Sequence, residues 1–79
     1  MFSEREEKII KVIGEKKFTL EEISERVFKG ITKPFDDKIT IANSIRRINK
    51  KCEFNKLNWT FERLRPDIVT GKQIGRAHV

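Results

Sequence analysis

Apolar residues follow two rhythms along this chain, a helical one as far as Cys52 and a two-residue one beyond it. The first helical stretch opens at Ser3-x-x-Glu6. That is the spacing of a capping box, in which the serine oxygen accepts a backbone N–H while the glutamate reaches back to the cap's own N–H. Ile9, Ile10, Val12 and Ile13 then supply an apolar stripe, and Gly14 a residue at ease in the left-handed conformation that ends helices. Lys16, Lys17 and Phe18 read as a short extended link. A second capping box, Thr19 with Glu22, starts the next helix. There Phe18 ahead of the cap and Ile23 at the fourth helical position are placed as a hydrophobic staple. Leu20, Ile23 and Val27 keep the period, Phe28 widens the face and Gly30 closes it. Glu21, Glu22 and Glu25 cluster near the helix start, where the dipole favours negative charge.

Residues 30–37 (GITKPFDD) read as a connection, since Pro34 disfavours helix at Lys33 and Asp36 or Asp37 can cap the next helix. The third helix is predicted over 38–52. Ile41, Ile45, Ile48 and Cys52 fall at i, i+4, i+7 and i+11 on one face. At about 100° per residue, Asn43, Arg46, Arg47 and Lys50 project from the opposite side, which carries no acid. After Cys52, Leu57, Trp59 and Phe61 alternate with Asn58, Thr60 and Glu62, the pattern of a half-buried strand. Residues 66–72 (PDIVTGK) read as a loop with Gly71 at positive φ, and 74–79 as the return strand. The expected product is a β-hairpin whose basic tip holds Arg63, Arg65, Lys72 and Arg76. Trp59 reads as core filling under that hairpin rather than as a base-stacking platform, because its parity partners Leu57 and Phe61 are apolar.

Composition narrows the classes. Seventy-nine residues make one domain, 1–79, near the lower limit for burying a self-sufficient core. With 37% apolar residues the chain is too hydrophobic for disorder. Apolar runs stop at pairs such as Ile9-Ile10, too short for a membrane span. The acidic start MFSEREEK does not read as a signal peptide. Cys52 is the one cysteine, so no internal disulfide is expected and a reducing compartment fits. The expected location is cytoplasmic and nucleoid-associated, or the host cytoplasm if the source is viral.

Charge changes the picture most. The net charge is +6, yet residues 1–37 hold eight Lys/Arg against nine Asp/Glu, while 38–79 hold ten against three. Basic charge confined to one half of a small domain is the footprint of a polyanion binder, with a merely solvated basic face as the alternative.

Two helices joined by a turn, then a basic helix and a basic hairpin, resemble a winged helix-turn-helix domain. The likeness covers nearly the whole chain. Locally, ITIANSIRRINKKC is similar to the recognition helix of OmpR-type effector domains. Ile41, Ile45 and Ile48 fall on that family's apolar positions, Lys51 on a basic one and Cys52 on the closing apolar one; Asn49 stands where arginine is usual. The resemblance implies an α+β fold of three helices followed by a C-terminal β-hairpin wing. The third helix would enter the major groove of double-stranded DNA, and the wing would touch the backbone.

Carried onto this chain, the base-contact candidates are Asn43, Arg46, Arg47 and Lys50. Asparagine can bond both edges of adenine, and arginine can fork onto guanine O6 and N7. Backbone and wing candidates are Thr40, Ser44, Lys51, Arg63, Arg65, Lys72 and Arg76, types that hold phosphate without reading sequence. The expected role is a small phage- or plasmid-style transcriptional regulator, with an architectural or recombination factor as a close variant. A protein-docking winged helix, using the acidic second helix or the basic third one, is the alternative from another class, and RNA binding is a third. A homodimer or a partner protein fits the size.

Enzyme signatures are not found. Ser3, Ser24 and Ser44 lie in helical contexts, and no glycine-rich phosphate loop surrounds Thr70-Gly71-Lys72. His78 has no cysteine or histidine partner at ligand spacing. Asp36-Asp37 reads as a cap rather than an acid/base pair. No catalysis, metal, cofactor or small-molecule substrate is expected.

Overall fold

Both capping boxes form. The computed structural model describes residues 2–73. Ser3 Oγ accepts from the Glu6 N–H at 3.2 Å while Glu6 Oε1 accepts from the Ser3 N–H at 2.9 Å, opening helix α1 over Glu4–Ile13. Gly14, at φ 51°, ends it. The extended link is strand β1, Lys17–Thr19. Thr19 and Glu22 exchange the same pair of bonds at 3.1 and 2.9 Å to start α2, Leu20–Val27. Gly30, at φ 81°, turns the chain away.

Helix α3 runs over Asp37–Phe54, longer at both ends than its apolar stripe implied. Asp36 takes the N-cap position but its side chain makes no capping bond. The carboxylate of Asp37 instead accepts a hydrogen bond from the Ser24 hydroxyl of α2, which is wholly buried. That bond is the main cause of an Asp37 pKa below the ordinary aspartate value. At its other end α3 closes with two reversed bonds, Lys56 N–H to the Glu53 carbonyl at 3.2 Å and Leu57 N–H to the Cys52 carbonyl at 2.9 Å. Lys56 takes the left-handed position that this closure requires, at φ 54°.

The hairpin differs most from expectation. Strand β2 spans Trp59–Arg65 and β3 spans Ile68–Gln73, joined by a two-residue turn at Pro66-Asp67. Most of the stretch expected to be loop is therefore the return strand; the expected strand at 74–79 lies outside the described residues. The β-branched run Ile68-Val69-Thr70 outweighs the turn signals of Pro66 and Gly71 on either side of it. Gly71 does not take positive φ. It pairs with Phe61 inside the sheet, where a side chain would meet the carbonyl oxygen of Gly14 at 1.9 Å. Its lack of a Cβ admits the α1–β1 turn against β3.

Among the described residues the sheet has three antiparallel strands in the order β1-β3-β2. Phe18 of β1, opposite Val69, and Phe61 of β2, opposite Gly71, face the helices. The core between the layers is Ile9, Ile13, Ile23, Val27, Ile41, Ile45, Ile48 and Cys52, closed by Phe61 and Val69. Each buried isoleucine contributes about 1.5–3 kcal/mol over its exposed state, so this layer carries most of the fold's stability. Burial pushes the Cys52 thiol up, which keeps it uncharged as a core residue needs. Trp59 is half-buried between Phe2 and Phe61, at ring-centre distances of 6.1 and 5.5 Å.

Candidate nucleic-acid interface

Helix α3 divides lengthwise. Its buried stripe is Ile41, Ile45, Ile48 and Cys52, with Ser44 beside it. Shifting each member of that stripe back by two residues turns it about 200° and gives Ile39, Asn43, Arg46 and Lys50, which share the outward face with Arg47. Arg46, Arg47 and Lys50 are exposed and Asn43 is half-buried. From Lys38 to Cys52 the helix carries no acid. Among the described residues, none of these three cations lies within ion-pair distance of a carboxylate.

The flanks of that face are fixed on both sides. Towards α1, Arg47, Thr40 and Asn43 line a shallow polar cavity of about 240 Å³ with Ser3, Arg5 and Glu6. Towards the hairpin, Asn49 grips β2. Its Oδ1 accepts from the Phe61 N–H at 2.9 Å and the Thr60 hydroxyl at 2.7 Å, and its Nδ2 donates to the Phe61 carbonyl at 3.0 Å. Sequence reasoning noted Asn49 only for standing in an arginine position, and missed this.

The backbone and wing candidates separate into engaged and open residues. Ser44 is buried, at 3% exposure, and lines that same cavity. Lys51 is committed to Glu6, Nζ to Oε1 at 2.7 Å, and lies over the Phe2 ring. Burial alone would raise the Glu6 pKa, but the Lys51 ammonium and the Ser3 N–H together hold it below the ordinary glutamate value. Thr40 is half-buried on the cavity wall. Arg63 donates to the Pro66 carbonyl across the hairpin turn. Lys72 pairs with Thr60 at the end of the hairpin away from that turn, its ammonium 4.0 Å from Glu62. The tip therefore carries Arg63 and Arg65 rather than the four cations expected, and Arg76 lies outside the described residues, as does His78. Arg65 is exposed in the pair that closes the turn, next to a register shift between Arg63 and Arg65.

Among the described residues no group of three His, Cys, Asp or Glu side chains could hold a metal ion, and no helix is long and apolar enough to cross a membrane. The arrangement offers a cationic helix face, unpaired among the described residues and held between α1 and β2. No family model, curated protein or solved structure matches the chain.

Proposed function

We propose that this chain is a winged helix-turn-helix domain that binds double-stranded DNA sequence-specifically, acting as a small transcriptional regulator. The carrying observation is the outward face of α3, where Arg46, Arg47 and Lys50 are exposed beside half-buried Asn43 and, among the described residues, none of the three cations lies within ion-pair distance of a carboxylate. The element order and the β1-β3-β2 sheet are compatible with a winged-helix layout. In this reading α3 lies in the major groove, Asn43 and the arginines meet base edges, and Arg65 at the hairpin turn neutralises a phosphate.

The test is selection from a random duplex pool, followed by titration of the selected and a scrambled duplex. Arg47→Ala weakens binding to the selected duplex more than to the scrambled one, whereas Arg65→Ala weakens both alike. Equal losses from the two substitutions would remove the division between reading and holding. A protein-docking role is the second reading, favoured by Phe35 and Ile31, which stand exposed in the α2–α3 connection. It predicts only salt-sensitive duplex binding with no preference for a selected sequence over a scrambled one.

A further inference from the structure

Ile39 breaks the chemistry of the face it stands on. It occupies the first position of the outward stripe Ile39, Asn43, Arg46, Lys50, and 61% of it is exposed. Scattered exposed apolar residues need no explanation. This one is singled out by its place, in line with the polar and cationic side chains at i+4, i+7 and i+11. It does not serve the core, which takes the opposite side of α3 through Ile41, Ile45 and Ile48. Nor does it favour the helix, since a β-branched side chain loses rotamer freedom there.

The charge around Ile39 decides what can cover it. Lys38 precedes it in sequence, and Asn43, Arg46 and Lys50 extend beyond it over roughly 16 Å of helix axis. A surface approaching this row has to be strongly anionic and still present an apolar group opposite Ile39. An acidic protein surface supplies both only where an apolar side chain stands at the right place among its carboxylates. The major groove of DNA supplies both, because phosphates flank its floor and thymine carries the one methyl group displayed there.

We infer that Ile39 is a specificity-determining residue that packs on the C5-methyl group of a thymine, with polar and cationic readers C-terminal to it. The inference rests on the DNA-binding reading and adds to it a position at which thymine is preferred for its methyl group. Removing one methyl-sized apolar contact from such an interface weakens binding about fourfold.

The experiment uses the full chain and the duplex selected above, with each thymine replaced in turn by deoxyuridine, which keeps every hydrogen-bonding group and loses only the methyl. Wild type loses about fourfold in affinity at one thymine, and Ile39→Ala shows no loss at that same thymine. Ile39→Ala should keep its fold, as alanine is the better helix former at an exposed site, and its circular dichroism checks this. Uniform tolerance of deoxyuridine by wild type, or equal sensitivity in Ile39→Ala, overturns the role of Ile39 and leaves DNA binding intact. Absence of any duplex binding overturns the DNA-binding reading and this inference together.

Discussion

The side chain of Asn49 uses both ends of its amide on β2, accepting from the Phe61 N–H and the Thr60 hydroxyl and donating to the Phe61 carbonyl. Asn49→Ala leaves buried Phe61 with two unpaired backbone groups, so a loss of about 2 kcal/mol is expected in urea unfolding. Asn49→Arg costs at least as much, because arginine has donors only and cannot serve the Phe61 N–H. Nothing local announces this, since the partners lie 11 and 12 residues away. Glu6 is a similar case. Its capping partner Ser3 was legible at three residues' distance, whereas Lys51 at 45 was not. Glu6 has a folded pKa below its unfolded value, so it contributes stability above the unfolded value that is lost as pH falls through the folded one. Urea midpoints taken from pH 7 down to pH 3 should fall more for wild type than for Glu6→Gln, which does not titrate.

Among the elements, the two capping boxes gave the helix starts to the residue, because each is a local pattern with a local bond. The hairpin was less legible. Its closing turn and the role of Gly71 depend on which strands meet, and Gly71 is required by an approach to Gly14 from far along the chain. Gly71→Ala should lower stability by about 3 kcal/mol or more, since a backbone atom rather than a flexible side chain has to move. Thermal unfolding measures it. The end of α3 points the other way. Lys56 holds a left-handed conformation that costs an L-residue free energy and costs glycine little. Lys56→Gly should therefore stabilise the protein by about 0.5–1 kcal/mol in the same assay.

For the whole molecule, the uneven charge along the sequence survives folding only in part. Lys51 and Lys72 have acidic neighbours in space that sequence position does not reveal, while Arg46, Arg47, Lys50 and Arg65 stay open among the described residues. If Lys50 and Arg65 each neutralise one phosphate while the two arginines of α3 meet base edges, log affinity for duplex DNA falls against log salt with a slope of about −1.8. Arg65→Ala should reduce that slope by about one, and Lys51→Ala should leave it unchanged. The α+β class and helical face of the candidate site were readable from periodicity alone. The sheet order was not, because β1 is three residues long and joins β3 across roughly fifty positions of chain.

A sheet with β3 at its centre leaves β2 as an outer strand, whose unused peptide groups would ordinarily invite another chain to pair there. The amide of Asn49 resembles a peptide unit and fills one rung on that edge, in the place of a neighbouring strand. Any foreign strand sliding along β2 meets that rung at Phe61, near the middle, and finds no uninterrupted ladder. The contact that fixes α3 beside the hairpin thereby also makes β2 a poorer template for a pairing strand.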